Sequence, residues 1–398
     1  MTVRMSTCVP SAGGNKDTVD LYWDLTEFSR GAGRMPLIAV CAVWGVFWGS
    51  WSALLPAVKL QLGLSASDLG LALSAVPVGA LPAMALAGRL ARGRERSALL
   101  MCTVLFALSV AGIGLAGTAW QLALALLLVG AASGALDIAL NLATGRAERE
   151  SGRRLFQPVH AAFPVAVIAA APATGLARSL GAGSATVLAA IGLIVVAASL
   201  TLLALPLGRG LPDTSSRTDR RSLVGAALLL GTLAACVLTI ENSVEQWSVL
   251  LLEQHRGAGP LTASLAPSVY MAALTVGRLV VQALPRTPLR ALHLVAGVGG
   301  GGGIALAALS DSVPVSMAGF ALTGLALGPM VPALLSRAAA DDSSGTLVWW
   351  VSTISYTGFV VSPLLVAGLS GWLGLPAAMA ALGLLGLPLA GRLLLRRA

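Results

Sequence analysis

The sequence predicts an all-α membrane protein with twelve transmembrane helices in two six-helix, pseudo-symmetric halves. Three observations lead to this prediction. Hydrophobic residues fill 56% of the 398 positions and charged residues only 11%, whereas a soluble chain devotes roughly a quarter of its residues to charge. Long apolar stretches recur along the chain. Short motifs of its first half also reappear in its second half.

Twelve stretches are long and apolar enough to cross a membrane. A helix needs about 20 apolar residues to cross the hydrocarbon layer, and open strands are excluded because their backbone groups would be unpaired in lipid. Gly, Pro or charged residues close each stretch. In chain order the stretches cover residues 36–56, 68–89, 97–117, 119–143, 158–180, 183–206, 222–252, 261–284, 289–309, 314–337, 346–369 and 373–392.

The basic residues predict the topology. With the N-terminus in the cytoplasm, 23 of the 26 Lys and Arg residues fall on the inner side, and only Lys59, Arg178 and Arg256 fall outside. Cytoplasmic loops of membrane proteins are enriched in Lys and Arg. We therefore expect both termini inside and a multi-pass location in the cell's inner (plasma) membrane. Because the charges are spread between apolar spans, the net charge of +9 does not indicate nucleic-acid binding.

The spans and polar stretches divide the chain into five parts. We expect a cytoplasmic N-terminal tail (1–35), a first six-helix bundle (36–206), a cytoplasmic linker (207–222), a second six-helix bundle (223–392) and a cytoplasmic C-terminal tail (393–398). The linker is the longest polar stretch between the spans, which favours a boundary between two bundles.

Three sequence echoes predict that the halves arose by duplication. Each pairs corresponding helices and is separated by nearly half the chain. The paired segments are 51–55 with 247–251 at an offset of 196, Gly130 and Gly134 with Gly324 and Gly328 at an offset of 194, and 88–90 with 277–279 at an offset of 189.

Two six-helix halves, a basic linker and a basic turn after helix two resemble the major facilitator superfamily of secondary transporters over nearly the whole chain. Residues 134–141, His160 and residues 241–248 are similar to one branch, that of YbjJ-type inner membrane proteins and fucose-permease relatives. The resemblance implies alternating access around a central cavity lined by helices one, four, seven and ten.

Two segments bear on how far this resemblance extends. The turn at 88–96 lacks the acid that the superfamily carries after Ala91, so the family's charge-based cytoplasmic latch would depend on Glu95. Residues 171–175 in helix five are partly similar to the Gly-Pro-rich motif of drug–proton antiporters, which favours export.

Asp137 and Glu241 are the candidates for proton coupling, one in each half. A carboxylate at membrane depth is costly, so it usually faces a cavity or a partner. Burial penalises its ionised form, and such an acid can bind and release a proton. The structural alternative for each is a hydrogen bond to a neighbouring helix.

Other residues are candidates with competing structural interpretations. The predicted substrate-cavity residues are Asn141, Trp44, Trp48 and Asn242, and the predicted gating or secondary residues are His160, Arg278 and Glu245. Packing alone would explain the tryptophans, and an anchor at the membrane interface would explain Glu245. A structural histidine would explain His160, and snorkelling to the lipid headgroups would explain Arg278.

No cofactor, metal or nucleotide site is predicted. The four cysteines and three histidines lack metal-binding spacing. The glycine run 299–303 lacks the Lys-Ser or Lys-Thr of a phosphate loop and predicts close helix packing. The expected partners are a small-molecule substrate, protons and the lipid bilayer, with no nucleic acid and a monomeric chain.

The sequence favours a proton-coupled secondary transporter that exports a small organic solute. Sparse polar residues in most spans favour an apolar solute and export. Uptake of a sugar or similar polar solute is the alternative, because Asn141, Asn242, Gln246 and the tryptophans would suit it. A membrane-embedded enzyme and a non-transporting receptor on the same fold are the alternatives from other classes.

The charge distribution leads to a topology prediction. In a chain freed of native cysteines, a cysteine at Ser216 should resist a membrane-impermeant thiol reagent in intact cells, because the linker faces the cytoplasm. A cysteine at Ala258 should react. Labelling at Ser216 with protection at Ala258 would overturn the orientation.

Overall fold

A computed structural model describes residues 34–151, 155–205, 223–284, 286–342 and 346–391. Six helices form the first bundle: α1 (Arg34–Gln61), α2 (Ala66–Leu90), α3 (Glu95–Ile113), α4 (Ala119–Ser151), α5 (Phe156–Ser179) and α6 (Ser184–Thr201, then a 3-10 turn Leu202–Ala204). The predicted linker, the C-terminal tail and most of the N-terminal tail lie outside the described residues.

The second bundle has more interrupted helices. It contains α7 (Val224–Arg256), α8 (Pro260–Ala263 and Leu265–Ala283), α9 (Leu289–Leu294, a π-helical Val295–Gly300 and Gly301–Leu309), α10 (Val313–Leu327 and Met330–Asp341), α11 (Thr346–Ser355 and 357–373) and α12 (375–381, Leu382–Leu385 and Gly386–Gly391).

The helix count depends on one glycine. Eleven helical segments of the described chain are long and apolar enough to span a membrane, and the last, Leu347–Gly391, has 45 residues. At about 1.5 Å per residue it would be roughly 68 Å long, twice the hydrocarbon thickness. The backbone breaks at Gly374, where φ is +79°, a conformation that glycine adopts without strain. The segment is therefore two spans, and the predicted twelve-helix fold is confirmed.

The two ends of the molecule differ in which turns and charges they carry. End A is the end with the α1–α2 turn (62–65), and end B is the end with the α2–α3 turn (91–94). Lys59, Arg178 and Arg256 lie at end A, and the other described basic residues lie towards end B.

Glycines bring α2 against α4 and α8 against α10 in the same way. A Cβ built on Gly130 would lie 1.9 Å from the Val76 carbonyl oxygen, and one on Gly324 would lie 2.4 Å from that of Tyr270. The two contacted residues are 194 positions apart, as are the two glycines. The glycine echo found in the sequence therefore marks structurally equivalent positions in the two bundles.

The echo between 88–90 and 277–279 is wrong in register. Gly134 approaches the carbonyl oxygen of Ala80, and Gly328 that of Leu274, again 194 positions apart. In this register Gly277 corresponds to Ala83. The match at offset 189 therefore does not pair equivalent positions.

The glycine run at 299–303 packs helices together, as the sequence predicted. A Cβ on Gly300 would lie 2.4 Å from the Leu327 side chain, and one on Gly301 would lie 2.5 Å from the Gly383 carbonyl oxygen. These contacts join α9 to α10 and α12, so the missing side chains permit close approach.

The glycine crossings lead to a stability prediction. Gly130→Ala and Gly324→Ala should each cost about 1–3 kcal/mol, because the added methyl overpacks a backbone contact. Gly112→Ala in α3 is the matched control, since nothing lies within 4 Å of its Cβ and alanine favours the helix. The measurement is the melting temperature of the purified protein in detergent. Equal melting temperatures for Gly130→Ala and Gly112→Ala would contradict the packing.

Candidate functional site

A cavity of about 410 Å³ lies between the two bundles. Helices α1, α2, α4 and α5 line it from the first bundle, and α7, α8 and α11 line it from the second. The family resemblance implied a lining of helices one, four, seven and ten. That expectation is wrong for α10, which contributes none of the described lining residues.

The cavity gathers most of the candidates predicted from the sequence. Eight of the nine line it: Trp44, Trp48, Asp137, His160, Glu241, Asn242, Glu245 and Arg278. Asn141 is not in the lining but bonds to two residues that are. Residues distant in sequence and in both bundles therefore meet in one chamber.

Asp137 is held by hydrogen bonds from both bundles. Asn141 Nδ2 donates to Asp137 Oδ1 at 2.9 Å, and the Tyr356 hydroxyl, from the second bundle, donates to Asp137 Oδ2 at 3.0 Å. His160 Nε2 lies 2.9 Å from Asn141 Oδ1, and its ring stacks on Phe156. The hydrogen bond to a neighbouring helix is thus present, and Asp137 also faces the cavity.

Glu241 belongs to a polar row on α7 with Asn242, Glu245 and Gln246. Glu241 is 8% exposed and Gln246 is 7% exposed. Neither Glu241 Oε1 nor Gln246 Oε1 has a hydrogen-bond partner among the described residues. A buried acceptor without a partner costs free energy. A hydrogen-bond donor from solvent or solute that reached these two oxygens would remove that cost.

Arg278 is the positively charged residue of the cavity wall. Its Nε donates to the Gly328 carbonyl oxygen of α10 at 3.0 Å. It takes part in none of the ion pairs within 4.0 Å found among the described residues. Arg278 thus lines the cavity, and its snorkelling to the lipid headgroups stays a prediction.

Aromatic side chains of α1 and α5 line the cavity from the first bundle. Trp44 packs edge-on against Phe163 with ring centroids 5.0 Å apart, and its Nε1 donates to Ser133 Oγ at 2.8 Å. Trp48 lines the cavity as well. Trp51, one turn further along α1, is 1% exposed and packs inside the bundle against Phe47.

An ion pair joins the bundles at end A. Arg178 of α5 contacts both carboxylate oxygens of Glu253 on α7, at 2.5 and 3.0 Å, and also donates to the Ala53 carbonyl oxygen at 2.7 Å. The Ser52 hydroxyl donates to the Glu245 carbonyl oxygen close by. These contacts hold the two bundles together at end A.

Among the described residues, Glu95 makes no polar contact with the second bundle and so provides no latch between the bundles. Its Oε2 lies 2.7 Å from Arg146 Nη1, and its Oε1 accepts from the Gly93 backbone N–H at 2.7 Å. Both partners belong to the first bundle. Glu95 therefore joins α3 to α4 at end B.

The sequence did not identify Tyr356, Ser133 or the Arg178–Glu253 pair as functional residues. A tyrosine in an apolar span and opposite charges at the same end of helices five and seven were the available signals. The described residues contain no group of three or more His, Cys, Asp or Glu that could hold a metal ion.

Comparisons with known proteins agree with this architecture. The family model described as Major Facilitator Superfamily matches residues 37–363. An uncharacterised MFS-type transporter of Yersinia pestis is 28% identical over 331 residues, which cover 80% of this chain and 84% of the relative.

Two solved structures share the fold. A bacterial homologue of the human lysosomal transporter Spinster, inward-facing and unoccupied, aligns with a TM-score of 0.76 at 14% identity, covering 91% of this chain and 96% of that one. The nucleoside transporter NupG, in a form with one substituted residue, aligns with a TM-score of 0.77 at 13% identity, covering 91% of this chain and 99% of that one.

Proposed function

Since the chain belongs to the major facilitator superfamily, we propose that it is a proton-coupled secondary transporter that exports a small organic solute across the cytoplasmic membrane. The observation that carries this proposal is the cavity between the bundles, which holds Asp137 from the first bundle and Glu241 from the second. A single chamber faced by a titratable acid from each moving half suits alternating access.

The charge distribution supports an orientation for this cavity. End A carries three basic residues and the rest lie towards end B, so the positive-inside rule puts end A outside the cell. The Arg178–Glu253 pair joins the bundles at end A, which supports a cavity that opens to the cytoplasm. The solute would therefore enter the cavity from the cytoplasm.

Coupling follows from the cost of burying charge. When both ends close around the cavity, an ionised carboxylate loses its water and needs a proton or a counter-charge. Glu241 has an open oxygen and Asp137 depends on a hydroxyl from the other bundle. Reorientation with neither acid compensated is then unfavourable, which prevents the empty, ionised carrier from dissipating the gradient.

Export is favoured by the requirement for exchange. If a carrier reorients only when its acids are compensated by solute or by protons, outward movement of solute is balanced by inward return of protons. The partial similarity of residues 171–175 to the Gly-Pro-rich motif of drug–proton antiporters also supports this direction, and Gly175 of this segment lies against the Pro260 carbonyl oxygen at the α5–α8 crossing of end A. Close crossings of this kind are where the bundles must separate.

The coupling proposal predicts distinct effects of two isosteric variants. Asp137→Asn and Glu241→Gln keep shape and much of the hydrogen bonding but remove the titratable group. Each should abolish accumulation driven by a pH gradient, while solute exchange at equal pH persists in the Asp137 variant. The solute is the one that wild-type proteoliposomes accumulate from a panel of radiolabelled amines, sugars and nucleosides.

Glu150→Gln is the control, because Glu150 lies on the same helix as Asp137 but at the exposed end, paired with Arg146. Its accumulation should match the wild type. If both cavity variants also accumulate solute at the wild-type rate, coupling through this pair is wrong.

A further inference from the structure

Two hydrogen-bond acceptors of the cavity wall are buried and open. Glu241 Oε1 and Gln246 Oε1 are buried without partners among the described residues. Three donors of the lining are engaged: Trp44 Nε1 by Ser133, the Tyr356 hydroxyl by Asp137, and Arg278 Nε by Gly328. A ligand that reaches the two open oxygens must donate hydrogen bonds to them.

The charged residues of the cavity lining are mostly acidic. Three carboxylates, of Asp137, Glu241 and Glu245, face the cavity against the single guanidinium of Arg278 among the described lining residues. His160 also lines the cavity, and its Nε2 is taken up by Asn141. An anion entering this chamber would meet three carboxylates, whereas a cation would offset charge that is otherwise unpaired.

Aromatic rings complete the surroundings of these acids. Trp44, Trp48 and Phe163 line the cavity from the first bundle, and Phe359 lines it from the second. The faces of such rings attract an organic ammonium, and their area receives an apolar body. The volume of about 410 Å³ is within the range of small-molecule sites.

We infer that the solute of the transporter proposed above is a small organic cation, an amine with an apolar or aromatic body, whose ammonium group binds Glu241. That this cation is transported rests on the proposed function, whereas its chemistry is inferred from the cavity lining alone. Glu245 and Gln246 accept the remaining ammonium hydrogens, and the tryptophans and Phe163 cover the body. A neutral polyol could use the open acceptors but would leave the carboxylate charge uncompensated.

The same arrangement accounts for exchange. The Glu241 carboxylate can bind either a proton or an ammonium group, and either one compensates its negative charge. Solute and proton therefore compete for one carboxylate. This competition is sufficient to couple their movements in opposite directions.

Three probes with one aromatic body test the inference. We compare 4-phenylbutylamine, 4-phenylbutanol and 4-phenylbutyrate by calorimetry on the purified protein in lipid nanodiscs at neutral pH, with empty nanodiscs subtracted. The amine should bind roughly tenfold to hundredfold more tightly than the alcohol, as expected for a hydrogen bond to a charged group. The butyrate should bind most weakly.

Glu241→Gln should bring the amine to the affinity of the alcohol and leave the alcohol unchanged. Asp311→Asn is the matched control, because Asp311 is an acid whose side chain is fully exposed, and it should change neither affinity. If the Glu241 variant fails to purify as a monodisperse protein, Glu245→Gln replaces it and should weaken the amine alone. Equal or absent binding of amine and alcohol, or amine binding indifferent to both glutamates, overturns the inference.

Transport is measured separately by counterflow in proteoliposomes. Amine binding that depends on Glu241 but gives no counterflow contradicts the transport function and supports the inference about the site. Counterflow of the alcohol in preference to the amine supports transport and overturns the cation.

Discussion

The free-energy cost of burying an ionised carboxylate inside a membrane protein is the main physical constraint on this structure. Lipid offers neither water nor counter-charge, so Asp137, Glu241 and Glu245 require a cavity, a partner or a proton. Asp137 takes hydrogen bonds from Asn141 and Tyr356, and the latter comes from the other bundle. Glu241 keeps an open oxygen on the cavity wall. The interface between the bundles is therefore where charge, solvent and solute can meet.

Close helix packing makes that interface possible. Gly130 and Gly324 let α4 and α10 approach the backbones of α2 and α8 in equivalent ways, so each bundle is compact by itself and carries its own cavity wall. The bundles meet at end A, where Arg178 binds Glu253 and Ala53. Two compact bodies joined at one end can rock until they separate there, since their internal packing need not change.

The sequence predicted the elements better than the pairings between them. Asp137 and Glu241 could be recognised because charge inside an apolar span is costly wherever the span lies. Tyr356 could not be assigned to Asp137, because 219 positions separate them and only the docking of the bundles brings them together. The same holds for Arg178 with Glu253. The echo at Gly277 was misplaced because a three-residue match contains no information about which backbone each glycine contacts.

The most direct test is whether the cavity acids control which end is open. Spin labels at Gln61 and Gln254, exposed at end A on α1 and α7, report the separation of the bundles there by pulsed electron resonance in nanodiscs. We predict two distance populations whose ratio changes between acidic and alkaline pH in the wild-type cavity and no longer changes in the Asp137→Asn, Glu241→Gln double variant. A single distance at every pH, or the same pH dependence in both proteins, would contradict the account and place the control elsewhere, with His160 the first group to examine.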